Sequence, residues 1–171
     1  MMVGMPPPAP DAERAVEALM AASRAFVGLA ARSLADLDAD VTLPQFRALV
    51  VLATRGPQRA ADISAELQVA PSTGTRMCDR LIRKGLIRRT RSTADRRVVR
   101  LRVTPAGQRL VAEVIRRRRE ELARIVAATA DYWQPAVTEA LAAFAAAAGE
   151  VPEQEWWLGF AARDEEAAVD A

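Results

Sequence analysis

Histidine is absent from this 171-residue chain, and cysteine and lysine each occur once, as Cys78 and Lys84. Without imidazole there is no Ser-His triad, no histidine general base and no histidine metal ligand. A lone cysteine excludes an internal disulfide and a cysteine-rich zinc site, and it suits a reducing compartment, so a cytoplasmic location is expected. No 18-residue window is apolar and free of charge, so no membrane span is expected. Residues 1–10 have neither a basic n-region nor an apolar h-region, so no secretory signal is expected either. Carboxylate chemistry passes these filters. Asp36, Asp38 and Asp40 are the residues such an enzyme would use, although acidic residues are commonplace in a loop after a helix. Nothing else points to a catalytic residue, a metal or a cofactor.

What the chain does have is charge of one sign in one place. Residues 76–102 hold eleven basic groups (ten Arg and Lys84) and only Asp79 and Asp95 against them. Residues 150–171 hold seven acidic groups against Arg163 alone. So dense a basic stretch is the footprint of a polyanion partner, nucleic acid before a membrane surface. The preference for arginine suits bidentate contact with phosphate and guanine, though genomic codon usage alone produces such a bias.

The hydrophobic pattern is helical except in one short region. Pro6, Pro7, Pro8 and Pro10 make residues 1–10 an expected disordered arm. From Asp11, Val16, Leu19, Met20, Phe26, Val27, Leu34 and Leu37 recur at helical spacing. Thr42 is placed to cap a second helix that Gly56-Pro57 stops. Two short helices, about 60–67 and 72–84, follow with Gln68-Val69-Ala70-Pro71 between them, and Ser72 is the expected cap of the second. This is a helix-turn-helix outline. After Gly85 the period becomes two, giving strands at 86–91 and 97–103 around a polar tip. Thr104-Pro105 then opens a long helix with Leu110, Val111, Val114, Ile115, Leu122, Ile125 and Val126 on one side. Its other side, with Glu113 paired to Arg117 and Arg116 to Arg119 set against Glu120 and Glu121, is expected to be mostly solvated. A last helix spans about 135–148.

The second short helix is sorted by face. Gly74, Met77, Cys78 and Leu81 fall on the core side. Thr73, Arg76, Arg80 and Arg83 lie opposite, with Ser72 at the start. A recognition helix needs an apolar side to fix its depth and a side of hydroxyls and guanidiniums to reach base edges. Arg91, Arg96 and Arg97 surround the hairpin tip, where an arginine can enter a narrow minor groove. Asp95 would repel phosphate, so its expected role is to hold an arginine by a charge-assisted hydrogen bond. A solvated helix and a hairpin with a charged edge are the alternatives.

Residues 70–87, APSTGTRMCDRLIRKGLI, resemble the recognition-helix segment of the MarR family of bacterial transcription regulators. Residues 95–107, DRRVVRLRVTPAG, are similar to its wing signature, Asp-x-Arg followed by an alternating strand and Thr-x-x-Gly. The resemblance covers about residues 11–149. It implies a mainly α winged helix-turn-helix with a small β-hairpin wing, whose N- and C-terminal helices form a dimerisation domain. The division it implies is helices for dimerisation and support at 11–56, a DNA-binding domain at 57–103, C-terminal dimerisation helices at 104–149 and an acidic tail at 150–171. It further implies a homodimer on double-stranded DNA, more often a repressor than an activator. Ser72, Thr73, Thr75, Arg76 and Arg80 become the base-facing residues. Arg97 becomes the wing arginine oriented by Asp95, with Arg96 and Arg91 beside it. Two positions depart from the pattern: Gly74, where a branched apolar residue is usual, and Gln68, where a turn glycine is common. Gly74 costs about 1 kcal/mol of helix propensity relative to Ala and so would loosen the recognition helix.

Two apolar terminal helices also call for a two-fold partner on physical grounds. Recognition helices so related would read half-sites roughly 34–36 Å apart, on a pseudo-palindromic operator. The family resemblance implies an effector cleft receptive to small aromatic acids, for which Phe26, Arg32, Phe46 and Arg47 are candidates. Cys78 falls on the core face and is expected to be structural, unless Arg76 and Arg80 lower its pKa enough for oxidation. The tail sequence around Trp156-Trp157 reads either as an extra turn packed on the dimerisation helices or as a segment that docks on the basic wing. A winged-helix module for another acidic partner, without operator reading, remains the rival to DNA reading, and Gly74 is its support.

Overall fold

The computed structural model describes residues 10–35, 40–91 and 98–152. Six α-helices and one two-stranded antiparallel sheet are found among them: α1 Pro10–Ala35, α2 Leu43–Arg55, α3 Ala60–Glu66, α4 Pro71–Arg83, β1 Ile87–Arg91, β2 Val99–Val103, α5 Pro105–Ala128 and α6 Pro135–Ala147, with a 3-10 turn at Ala130–Tyr132 between the last two. Among the described residues the sequence-derived order and types of element hold. The expected arm at 1–10 gives up its last residue, Pro10, to α1; residues 1–9, 36–39 (with Asp36 and Asp38), the hairpin tip from 92 to 97 and the tail from 153 lie outside the described residues.

Local chemistry accounts for the boundaries. Pro10 opens α1 at a first-turn position, where its missing N–H is no loss. Thr42 caps α2, and its backbone N–H donates to Gln45 Oε1 at 3.1 Å. Gly56 ends that helix with φ +75°. Thr104 caps α5 as expected, accepting the Gly107 N–H at 3.2 Å.

The core is centred on α2. Leu49, Leu52, Ile63, Leu81, Val111 and Val114 are sealed from solvent there, with Leu101 and Val103 of β2 closing one side. Val99, which a period of two puts on the same face as Leu101 and Val103, is 47% exposed at the last pair of the ladder, opposite Arg91. Gln58 adds a third short rung to the sheet by exchanging backbone hydrogen bonds with Leu101, at 3.2 and 2.7 Å.

The outer helices are less satisfied. α1 buries Leu29, Ala30 and Leu34 but exposes Val16, Met20, Phe26 and Val27. By length and composition it is, among the described residues, the one helix that could cross a membrane. Arg24 and Arg32 interrupt its run, and its apolar residues divide between the core and an open face. α6 has no buried residue at all. On α5, Arg116 and Arg117 both bind Glu113, Arg116 at 2.7 Å and Arg117 at 2.7 Å, and hold its carboxyl down at about 2.

Candidate nucleic-acid interface

α4 presents two different faces. Gly74, Met77, Cys78 and Leu81 are the buried ones, the same four that the spacing predicts. Ser72, Thr73, Thr75, Arg76, Arg80 and Arg83 are exposed. Arg76 and Arg80 are one turn apart, about 6 Å along the helix. The Thr75 hydroxyl donates to the Pro71 carbonyl at 2.9 Å, so it faces its own helix and keeps only acceptor capacity for a ligand.

The start of α4 differs from expectation. Its cap is Ala70, and Pro71 takes the first helical position, which moves Ser72 inside the first turn. Proline tolerates that position because the missing N–H would be unpaired anyway. Ser72 is therefore presented on the exposed end of the helix, with its hydroxyl unneeded as a cap.

Gly74 corrects a second expectation. A Cβ at this position would lie 1.9 Å from Ser64 Oγ and 2.9 Å from Ser64 Cβ. Ser64 is itself buried and donates to the Ala60 carbonyl at 2.8 Å. The glycine lets α3 and α4 approach closely, so it tightens the seat of α4 instead of loosening it. Gln68 is the other departure. It adopts φ +53°, the left-handed turn residue after α3, with its N–H on Ala65 O and the Val69 N–H on Ser64 O. Glycine would serve there without strain.

At the far end, Gly85 (φ +68°) closes α4 by a Schellman turn: Leu86 N–H reaches Leu81 O at 3.0 Å and Gly85 N–H reaches Ile82 O at 2.9 Å. Two surface ion pairs then link the helix to its surroundings. Asp79 receives Arg89 of β1 at 2.7 Å. Lys84 holds Asp40, through its carboxylate at 3.0 Å and also its carbonyl oxygen. These positioning pairs escape sequence reading, because nothing local links residues 40 and 84.

In the hairpin, Arg88 lies directly across from Arg102, and Thr90 from Arg100. The Arg88–Arg102 pair sets like charges side by side across the ladder. Arg91 is exposed at the end of β1. Asp95, Arg96 and Arg97 fall outside the described residues. Cys78 is 2% exposed, and burial, followed by Asp79, pushes its thiol up to about 11. Arg76 and Arg80 do not lower it; Arg89 opposes the shift only weakly.

A cavity of about 310 Å³ opens between α1, α2 and α5, with Phe26, Phe46 and Ile115 among its walls and Arg47, Arg118 and Glu150 at its polar side. Of the expected cleft residues, Arg32 is elsewhere, paired with Glu121 at 2.8 Å. Arg118 takes its place. Its guanidinium carbon stands 5.9 Å from the Phe46 ring centroid, and its Nε is buried without a hydrogen-bond partner. Desolvation, then Arg47, lowers its pKa. The solvated reading of residues 116–119 therefore fails at Arg118. The missed signal is its spacing, seven residues after Val111 and four after Val114, on the buried stripe.

A helix-turn-helix with a sorted, basic second helix and an adjoining two-stranded wing defines the winged helix-turn-helix class. The family model described as MarR family matches residues 41–99. RV1404 from Mycobacterium tuberculosis is a solved structure with a TM-score of 0.73 and 37% identity, over 85% of this chain and 99% of that one. YsmB of Bacillus subtilis (strain 168), named an HTH-type transcriptional regulator, is 39% identical over 82 residues, 48% of this chain and 56% of its own. MdtR of the same organism, named an HTH-type transcriptional repressor, is 39% identical over 84 residues, 49% of this chain and 54% of its own. The matches thus span about half the length of these curated relatives. The chain belongs to the MarR family. The curated relatives are named as regulators of transcription, not as enzymes. Asp40, the described member of the carboxylate trio, is tied to Lys84.

Proposed function

We propose that this protein is a sequence-specific DNA-binding regulator of transcription that acts as a homodimer on a pseudo-palindromic operator. One observation carries the reading: α4 buries Gly74, Met77, Cys78 and Leu81 while Thr73, Arg76 and Arg80 stand exposed on a helix braced at both ends. In the complex α4 lies in the major groove, with Ser72, Thr73, Thr75, Arg76 and Arg80 toward base edges and phosphates. Arg91 and Arg96 meet the flanking backbone, and Arg97, oriented by Asp95, enters the minor groove. Residues 57–103 are the DNA-binding unit, and the helices at 11–56 and 104–149 join the two protomers. The repressor's role is taken from the relative MdtR, named a repressor, and the cytoplasmic location from the lone cysteine. The cavity beside Arg118 is the effector site, taking a small aromatic acid. Gly74, the departure that supported a module without operator reading, has a packing reason in its close approach to Ser64.

The test is selection of bound sequences from a random duplex pool at about 150 mM salt, where non-specific binding is suppressed. Enrichment of a pseudo-palindrome with half-sites about one helical turn apart is the expected result. A folded dimer that enriches nothing, with or without an aromatic acid, would overturn the assignment.

A further inference from the structure

The cavity between α1, α2 and α5 holds two guanidiniums and one carboxylate. Arg47 is paired with Glu150 at 3.2 Å, and both side chains are about half exposed. Arg118, deeper in the cavity wall, has a buried Nε–H with nothing to receive it. A charged group with an unmade hydrogen bond, set against the Phe46 ring, is suited to an anionic oxygen on an apolar body. Glu150 pairs with Arg47, not with the Arg118 Nε–H, and its backbone is tied to the end of α6. Gly149 follows α6 with φ +79°, and the Glu150 N–H bonds Ala145 O at 3.0 Å. The end of α6 thus presents one carboxylate to Arg47.

We infer that Glu150 is a built-in competitor for this site: an organic anion that engages Arg47 and Arg118 displaces the Glu150 carboxylate and frees the end of α6 from α2. The inference rests on reading the cavity as the effector site. Its physical basis is an imbalance between the two contacts. A half-exposed ion pair is weakly held, whereas an anion beside Arg118 completes a buried, charged hydrogen bond and buries its apolar body against Phe46 and Ile115. α2 also forms the centre of the core on which α4 rests.

The test is equilibrium dialysis of the full chain against 2-naphthoate and its uncharged amide, 2-naphthamide. Saturable naphthoate binding and much weaker naphthamide binding are expected. Glu150→Gln should bind naphthoate about two- to fivefold more tightly, the gain from removing a half-exposed competing ion pair. Arg118→Met should bind it at least about tenfold more weakly. If Glu150→Gln binds no more tightly than the natural chain while Arg118→Met is weakened, the effector site stands and the competitor is overturned. If neither the natural chain nor Glu150→Gln binds naphthoate, or naphthamide binds equally well, the site itself is overturned and the competitor with it.

Discussion

The Thr104 hydroxyl donates to the Gly85 carbonyl oxygen at 2.6 Å while accepting the Gly107 N–H at 3.2 Å. One side chain thereby joins the glycine that ends α4 to the first turn of α5. Gly107 completes the joint, since a Cβ there would stand 2.2 Å from Leu86 O. The Thr-x-x-Gly signature is thus a mechanical link between α4 and the long helix behind it.

Thr104→Val keeps the shape and deletes both hydrogen bonds. It should lower stability by about 1–2 kcal/mol, the usual effect of losing a helix cap. Urea unfolding measures this, and an unchanged midpoint would show that the link bears no load.

Gly74→Ala should destabilise the protein despite a helix-propensity gain of about 1 kcal/mol. The added methyl meets Ser64 Oγ at 1.9 Å. The background Ser64→Gly removes that oxygen and Ser64 Cβ, leaving Ser64 Cα at 3.3 Å. In this background the same substitution should cost much less. A double-mutant cycle on thermal unfolding reads the difference, and additive effects would contradict the contact.

Periodicity made the sorting of α4 legible, because burial of four core-side residues depends only on helical spacing. Its rigidity was not legible that way. The Gly74–Ser64 approach joins residues on two helices, and the Asp40–Lys84 pair spans 44 positions. A general preference for serine as a cap misplaced the start of α4, since Pro71 outranks it at the first helical position. Arg118 was hidden by composition: four consecutive arginines read as solvated, though only its stem has to lie along the core for the residue to be half-buried. The wing arginine rests on the family resemblance alone, as Arg97 lies outside the described residues.

Cys78 should be inert in the folded protein and should shape stability at alkaline pH. Its folded pKa, about 11, exceeds the ordinary 9.0. The thiol's contribution is complete below pH 9 and is lost as pH rises through 11, because the unfolded chain releases the proton first. Two units correspond to about 2–3 kcal/mol at most. Relative to Cys78→Ala, the natural chain should lose stability between pH 9 and 11 in denaturant titrations. A constant difference across that window would contradict the buried-thiol account.

The exposed apolar faces of α1, α5 and α6 predict a dimer. Met20 is 57% exposed, Phe144 54% and Ile125 44% in a single chain of 18.5 kDa. So much apolar surface left open along three helices calls for a partner. Sedimentation should give twice the chain mass. Ile125→Glu should shift it toward the monomer and weaken operator binding by more than about tenfold, since two linked half-sites bind by multivalency. A monomeric natural chain at micromolar concentration would contradict this.

The central claim is that the exposed face of α4 reads bases. Repeating the random-pool selection with Arg76→Ala tests it most directly. The account predicts that preference relaxes at one symmetry-related pair of positions, at a cost of about 1–3 kcal/mol on the natural chain's best site, with the rest of the motif retained. An unchanged motif with equal loss of affinity on operator and random DNA would mean that Arg76 touches only phosphate, and would contradict it.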